Sequence, residues 1–204
     1  MPGEEKPKRL TKAAMQSQET RRRIYEAAAD EFAAHGIAGA RVDRIAAAAK
    51  ANKSLIYDYF GSKEQLFEKV LGEAIAEFYG TIRLPEVTLA EYAGRLFDFS
   101  MDRPRLMRLV KWHGFASDED FPMPEGLSVT EQIEQIREAQ RKGIVTDRFP
   151  ADFIFTSIVT MATAWTAASS YGRAVSPDAM ERREELRQSV VEAVERLFLV
   201  PQKK

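Results

Sequence analysis

Four polar side chains lie within one seven-residue stretch of the chain and have types that suit contact with phosphate. Lys53 and Tyr57 are four residues apart and so share one face of a helix, while Ser54 and Tyr59 add hydroxyl groups. Ammonium and hydroxyl groups donate hydrogen bonds to phosphate oxygens. A hydrophobic core needs none of these polar choices. The stretch is therefore predicted to contact a nucleic-acid backbone.

Two short helices must position these side chains. The sequence predicts one helix over Val42 to Ala49 and a second over about Lys53 to Tyr59, with Asn52 as the N-cap of the second and Gly61 at its end. The apolar residues through which they would pack are Ile45, Ala46, Ala49, Ile56 and Phe60. This length and spacing is typical of a DNA-binding helix-turn-helix.

Further helices are predicted on either side of this pair. A first helix runs from about Gln18 to His35 and ends at Gly36. The capping-box pattern from Ser62 to Gln65 opens a fourth helix that reaches about Ile82. Residues 1–16, which are polar and carry four basic residues, are predicted to be a disordered tail.

The remainder of the chain is also predicted to be helical. Five more helices are expected. The first begins at Thr88, and the next three cover about 103–115, 128–142 and 150–171. The last runs from Ser176-Pro177 to about Leu199. No run of residues predicts a strand. The fold class is therefore all-α with about nine helices, in four parts: a tail over 1–16, a helix-turn-helix domain over 17–62, a connecting helix over 63–82 and a second domain over 83–204.

Composition narrows the function further. Residues 1–70 hold 13 Lys or Arg and 10 Asp or Glu, whereas the whole chain has a net charge of −1, so the basic character is confined to the N-terminal part. The absence of cysteine favours a reducing cytosol, and two histidines without cysteine predict no metal site and no cofactor. The charge-free stretch 153–172 is long enough to span a bilayer, but its seven Ser and Thr residues favour a buried helix and no membrane insertion.

Residues 22–71 resemble the DNA-binding domain of the tetracycline-repressor (TetR) family. The matching features follow one another in order: Ile24, Ala28, Phe32 and Gly36; Ile45-Ala46 with Ala49; Leu55 to Phe60; and Ser62-Lys63-Glu64 with Leu66. A second, weaker similarity is the connection formed by Ala139-Gln140, Gly143 and Pro150. The resemblance implies a transcriptional regulator that binds double-stranded DNA in the bacterial cytosol.

The resemblance also implies roles for single residues. The expected DNA-binding set is Arg41, Arg44, Asn52, Lys53, Ser54, Leu55, Tyr57, Tyr59 and Lys63. Within it, Arg41, Arg44 and Lys63 would contact phosphate, Lys53, Ser54 and Leu55 would face base edges, and the two tyrosines would clamp the backbone. Lys50 stands where the family usually has glycine, so a left-handed backbone there would cost about 1 kcal/mol.

For the second domain, the resemblance implies a homodimer formed through the last two helices and a palindromic operator. Four alanines at 162, 164, 167 and 168 permit close helix contact, and Val190, Val194 and Leu197 are expected to supply an apolar seam. The residues expected to line a pocket for a small, lipophilic ligand are Phe97, Met101, Met107, Trp112, His113, Phe115, Met161 and Trp165. Taken singly, each of them is better explained as an ordinary core residue.

The leading hypothesis is thus a repressor that a ligand releases from its operator. One alternative is a DNA-binding regulator whose second domain holds a partner protein, for which the acidic stretch 117–127 is a candidate surface. Another is a helical enzyme, against which stands the absence of a nucleophile–base pair, a phosphate-binding glycine loop or a carboxylate dyad. Whether such a protein represses or activates depends on where its site lies relative to the promoter.

Overall fold

The computed structural model describes residues 12–81, 84, 87–116 and 128–201, without the side chains of 78–81 and 114–116. Ten helices occupy these ranges: α1 (Lys12–Gly39), α2 (Val42–Ala49), α3 (Lys53–Phe60), α4 (Lys63–Thr81), α5 (Leu89–Asp102), α6 (Pro104–Ala116), α7 (Val129–Arg141), α8 (Ala151–Thr163), α9 (Ser170–Val175) and α10 (Arg183–Phe198). The chain divides into two compact units, the N-terminal unit (Met1–Val70) and the C-terminal unit (Leu71–Lys204). The predicted all-α class is confirmed.

Helices α2 and α3 agree closely with expectation, whereas α1 is longer at both ends than the predicted range of about Gln18 to His35. Helix α1 begins at Lys12, within the predicted disordered tail, and residues 1–11 lie outside the described range. Its regular geometry is interrupted at Gly36, where φ is 65° and ψ is 175°, as the glycine at that position suggested. The buried side chains that hold the unit together come from α1 to α4 and include Ile24, Phe32, Ile45, Ile56 and Leu66.

The start of α4 is built by the predicted capping box. The amide of Gln65 donates to the hydroxyl of Ser62 over 3.1 Å, and the amide of Ser62 donates to Oε1 of Gln65 over 2.9 Å. Gly61 precedes the box with a φ of 79°, a value that side chains rarely allow. The sharp turn between α3 and α4 therefore follows directly from the local sequence.

In the C-terminal unit, α5 is the most buried helix. Its inward stripe consists of Leu89, Tyr92, Leu96, Phe97 and Ser100, which recur at helical spacing and are all buried. Helix α10 packs along α5 and adds ion pairs at the edge of this contact. Arg187 Nε lies 2.7 Å from Asp98 Oδ2, and Arg183 Nη1 lies 2.5 Å from Asp102 Oδ1.

The predicted single helix over 150–171 is wrong, because the backbone breaks after Thr163. Hydroxyl and indole groups take the hydrogen bonds that would continue the helix: Thr166 Oγ1 donates to the carbonyl of Thr163 over 3.2 Å, and Trp165 Nε1 donates to the carbonyl of Met161 over 2.9 Å. Ser169 then caps α9 by accepting from the amide of Gly172 over 3.0 Å. This break accounts for the tenth helix.

The last helix also begins later than predicted. Residues 177–182 form turns, with the amide of Ala179 bonded to the carbonyl of Ser176, and regular α-helix starts at Arg183. The turns allow Ala179 to be buried while Arg183 reaches the carboxylates of α5. Ser176-Pro177 is therefore a turn and not a helix cap.

A polar side chain organises the connection between α7 and α8. The side-chain Nε2 of Gln140 donates to the backbone carbonyls of Thr146 and Phe149, both over 2.9 Å. An isolated antiparallel bridge joins Val145 to Leu199, so the end of α10 is tied to the same connection.

Within the described residues, no helix has both the length and the apolar character needed to cross a bilayer.

Candidate nucleic-acid interface and effector cavity

The turn between α2 and α3 has the geometry that the sequence suggested. Lys50 adopts a left-handed backbone, with φ 51° and ψ 46°. The amide of Ala51 bonds to the carbonyl of Ala46 and that of Lys50 to the carbonyl of Ala47, which together form a Schellman motif. Lysine therefore occupies a position that favours glycine, and we expect a conformational cost of about 1 kcal/mol.

Helix α3 separates an inward apolar side from an outward polar side. Ile56 is 1% exposed and Phe60 is 9% exposed, whereas Tyr57 is 44% exposed. Lys53 and Ser54 are exposed at the first turn of the helix, and Leu55 and Tyr59 are half-buried. The N-cap is confirmed, since Asn52 Oδ1 accepts from the amide of Ser54 over 3.0 Å.

The remaining members of the expected DNA-binding set surround α3. Arg41 is exposed, and Lys63 is half-buried at the start of α4. The hydroxyl of Tyr59 lies 3.1 Å from that of Ser17 on α1, which orients the tyrosine ring. The structure thus gathers the predicted residues within one unit, while their individual contacts with DNA remain predictions.

Arg44 has a structural partner that the sequence did not reveal. Its guanidinium donates to the carboxylate of Glu31 on α1, with Nε 2.8 Å from Oε1, and to the carbonyl of Gly39 over 2.8 Å. The same carboxylate accepts from the backbone amide of Arg41 over 2.9 Å. Arg44 therefore anchors α2 to α1, and any phosphate contact would use the rest of its guanidinium.

The protonation of Glu31 reflects this arrangement. Burial on its own would raise the pKa of the Glu31 carboxyl, but the hydrogen bonds from the Arg44 side chain and the Arg41 amide outweigh that effect and hold the pKa below its ordinary value. Glu31 is thus a half-buried carboxylate that stays charged at neutral pH and fixes the position of α2.

Lys53 also has a partner. Its ammonium lies 2.9 Å from Oδ1 of Asp43 on α2. The hydrogen bond between them, supported by their opposite charges, lowers the pKa of Asp43 and raises the pKa of Lys53. Ten positions separate Asp43 from Lys53, so no helical spacing links them in the sequence. The pair exists because of the way α2 and α3 pack.

An apolar, partly open cavity of about 190 Å³ lies in the C-terminal unit. Its described lining comes from α4, α5, α6, α8 and the turn after α8: Ile75, Tyr92, Leu96, Phe99, Leu106, Met107, Val110, Lys111, Val159, Thr163, Thr166 and Ala168. Lys111 is the single charged residue in that described lining. A larger groove of about 690 Å³ runs beside α7 but has Glu91, Glu138 and Lys142 in its wall.

Of the expected pocket residues, the structure brings Met107 to this cavity. Phe97 and Met101 are buried elsewhere in the core, Met161 and Trp165 are half-buried outside the lining, and the side chain of Phe115 lies outside the described residues. His113 is buried and Trp112 is 38% exposed, also away from the lining. Among these residues, Trp165 lies beyond the break after α8, where a continuous-helix pattern could not place it.

The C-terminal unit exposes large apolar side chains on and between its last helices. They are Phe153, Tyr171, Val175, Met180 and Leu197. The apolar seam expected at the dimer contact, formed by Val190, Val194 and Leu197, is corrected in part. Val190 and Val194 are buried within the protomer, whereas Leu197 is 51% exposed. The two valines face the protomer's own core since α10 packs on α5.

Two family models match the chain. Residues 24–70 match the model described as bacterial regulatory proteins of the tetR family, and residues 88–196 match the model of the tetracyclin repressor-like C-terminal domain. The second model alone covers more than half of the chain.

Individual proteins agree with these matches. HTH-type transcriptional repressor SCO4008 of Streptomyces coelicolor is 37% identical over 153 residues, which are 74% of this chain and 80% of that protein. HTH-type transcriptional repressor NicS of Pseudomonas putida is 36% identical over 104 residues, or 48% of this chain and 49% of NicS. The crystal structure of the transcriptional regulator SCO4942 from S. coelicolor superposes with a TM-score of 0.76 at 33% identity, covering 89% of this chain and 99% of that one.

These similarities span both units and agree with the helix-turn-helix geometry of α2 and α3. The chain therefore belongs to the TetR family of DNA-binding, dimeric transcriptional regulators and is not an enzyme.

Proposed function

We propose that the protein is a repressor in the bacterial cytosol that binds a palindromic operator as a homodimer and leaves it when a small lipophilic ligand binds. The observation that carries the DNA-binding part is the outward polar side of α3. Lys53, Ser54 and Tyr57 are exposed together on a helix whose inner side is fixed by Ile56 and Phe60. The names of SCO4008 and NicS support repression.

The homodimer would form through the exposed apolar residues of the last helices. Phe153, Tyr171 and Leu197 are each more than half exposed, although apolar side chains of this size are usually buried in a monomer. A two-fold axis through this surface would present two copies of α3 to successive major grooves, about 34 to 36 Å apart. Such a dimer requires a palindromic site.

The cavity of the C-terminal unit supports the ligand part of the proposal. Its volume of about 190 Å³ suits a compact molecule, and its described lining is apolar apart from Tyr92, Lys111, Thr163 and Thr166. Ile75 of α4 contributes to the wall, and α4 begins at the capping box that follows α3. A ligand that moved Ile75 would act on the helix that leads to the DNA-binding residues. It must bind the DNA-free state more tightly, or no release follows.

The DNA-binding proposal is tested by selecting fragments from a random DNA library at two salt concentrations. The wild-type protein is compared with the Lys53→Ala, Tyr57→Ala double variant. We expect one palindrome to be enriched, more weakly at high salt, and lost in the variant because both side chains are outside the core. Enrichment of no sequence, or equal enrichment by the variant, would refute the proposal.

The ligand proposal is tested by narrowing the cavity. Val159→Trp places an indole in the cavity, whereas Thr130→Trp places one on the exposed surface of α7. A panel of compact aromatic and branched aliphatic molecules is screened for a rise in melting temperature and for release of the selected operator. We expect active compounds to lose both effects with Val159→Trp and keep them with Thr130→Trp. A compound that releases the Val159→Trp protein from the operator as it releases wild type would mean that the effector binds outside this cavity. If no compound is active and a stable protein partner is found, the partner-binding alternative is favoured.

A further inference from the structure

The ion pair between Asp43 and Lys53 occupies the surface that the proposed function assigns to DNA. Lys53 is the first residue of α3, and Asp43 is the second residue of α2. Their charged atoms are 2.9 Å apart, and both side chains remain substantially exposed, at 48% for Lys53 and 62% for Asp43. The carboxylate of Asp43 therefore lies in contact with a lysine that is expected to face the base edges of the DNA.

Stability of the fold does not explain the pair. Ion pairs between exposed side chains contribute little to folding, because water screens the charges and two long side chains lose freedom. The packing of α2 on α3 is instead supplied by buried residues such as Ile45, Ala49 and Ile56. The pair is therefore expected to affect the contacts that the ammonium of Lys53 makes with DNA.

A lysine ammonium has three donors, and one of them is directed to Asp43. The other two remain available to an acceptor in the major groove, such as the O6 and N7 atoms of guanine. A phosphate, by contrast, attracts the ammonium as a point charge and must compete with a carboxylate that is already in contact. The pair thus favours use of Lys53 on a base over its use on any phosphate.

We infer that Asp43 is a specificity-determining residue, an internal counterion that holds Lys53 in place for base contact and keeps it from acting as a general phosphate binder. This inference rests on the proposed function, since it requires that α3 meets DNA. Non-specific binding depends almost wholly on phosphate contacts, so loss of the counterion should strengthen it most. Binding to the operator, in which Lys53 keeps its place, should change less.

The test uses the full-length protein and two DNA probes. One is the sequence selected by the wild-type protein, and the other is a duplex of the same length and base composition in scrambled order. Affinity for both is measured over a range of salt concentrations for wild type and for Asp43→Asn, which keeps the shape of the side chain but removes its charge.

For Asp43→Asn we expect affinity for the scrambled duplex to rise about three- to tenfold and its salt slope to steepen by about 0.9, the value for one added phosphate contact. Affinity for the operator should change by less than about twofold. The specificity ratio, which is the affinity for the operator divided by that for the scrambled duplex, therefore falls. In a Lys53→Met background the same substitution should leave the ratio unchanged, because the lysine that it frees is absent.

Asp58→Asn is the matched control, since Asp58 is also exposed on α3 and the substitution removes the same charge. We expect it to strengthen binding to both probes by a similar factor. If Asp43→Asn did the same, Asp43 would be an ordinary negative charge and the inference would be overturned. A large loss of operator affinity with Asp43→Asn would overturn it too, since Asp43 would then contact a base directly.

The outcome also separates this inference from the proposed function. Failure of the wild-type protein to select any sequence would defeat both. Selection of an operator, followed by an unchanged specificity ratio in Asp43→Asn, would defeat only the role of Asp43. Circular dichroism of each variant checks that its helices are intact.

Discussion

The two units of this chain expose different types of side chain at their surfaces. Around α3, the N-terminal unit exposes charged and hydroxyl groups, several of them already held by ion pairs such as Asp43–Lys53. The C-terminal unit exposes large apolar residues, including Tyr171 at 82% and Met180 at 63%, and contains a partly open apolar cavity. A surface that meets DNA needs ordered polar groups because the partner supplies charge. A surface that meets a second copy needs apolar area, and a ligand site needs unfilled space.

The largest effect that would test this comparison concerns the exposed apolar surface. Leu197→Arg places a charge at the proposed dimer contact, where burial would cost several kilocalories per mole. We expect dimer dissociation to become about 100-fold more favourable, or about 2.7 kcal/mol, as measured by sedimentation at several protein concentrations. Operator binding should weaken with it.

Ile144→Arg is the control for that experiment, because Ile144 is 46% exposed but lies in the connection after α7. It should leave the association of protomers almost unchanged. If Leu197→Arg formed dimers as tightly as wild type, the last helix would not contribute to the contact.

A second prediction contrasts two glycines of the C-terminal unit. A Cβ at Gly172 would lie 2.1 Å from the backbone carbonyl oxygen of Ala164, whereas a Cβ at Gly72 on α4 would meet nothing within 4 Å. Gly172→Ala should therefore lower the free energy of unfolding by about 1–2.5 kcal/mol, because the turn before α9 must shift. Gly72→Ala should raise it by about 0.5–1 kcal/mol through better helix propensity. Urea denaturation of both variants would measure the contrast, and equal effects would contradict the close packing at Gly172.

A third prediction concerns the half-buried carboxylate of Glu31 in the N-terminal unit. Glu31→Gln removes the charge that accepts from Arg44 and Arg41, and we expect it to lower the free energy of unfolding by about 2 kcal/mol at pH 7. Glu68→Gln, an exposed change on α4, should stay within about 0.5 kcal/mol of wild type.

The pH dependence of that difference follows from the lowered pKa of Glu31. A carboxyl with a lower pKa in the folded state stabilises the protein above the unfolded value of about 4.3, and this stabilisation is lost as the pH falls through the folded value. The gap between wild type and Glu31→Gln should therefore be full near pH 7 and shrink below about pH 4. A gap that stayed constant down to pH 2.5 would mean that the charge of Glu31 contributes nothing.

The smallest predicted effect concerns the left-handed backbone at Lys50. Lys50→Gly should raise the free energy of unfolding by about 0.5–1 kcal/mol, because glycine adopts a φ of 51° without strain. Lys50→Ala removes the same charge but keeps the strain, so it should bring no gain. Thermal denaturation of the two variants compares them directly, and equal melting temperatures would show that the strain is negligible.

Local features of the structure were predictable from the sequence where short-range rules act. The Asn52 cap, the Ser62–Gln65 capping box and the bounds of α2 follow from hydrogen bonds between residues a few positions apart. The inward stripe of α5 follows from helical periodicity. The helix over 150–171 was mispredicted because hydroxyl side chains compete with the backbone for hydrogen bonds, and their choice depends on the surrounding packing.

By itself the sequence thus determined an all-α fold, a helix-turn-helix at Val42–Phe60 and the family to which both units belong. The tertiary structure decided the pairings between distant residues: Glu31 with Arg44, Asp43 with Lys53, and Asp98 with Arg187. It also decided that Val190 and Val194 are core residues and that Met107, not Trp112 or Trp165, lines the cavity. The physical reason is that helical spacing reports which residues share a face, whereas what that face meets depends on how helices far apart in the chain pack together.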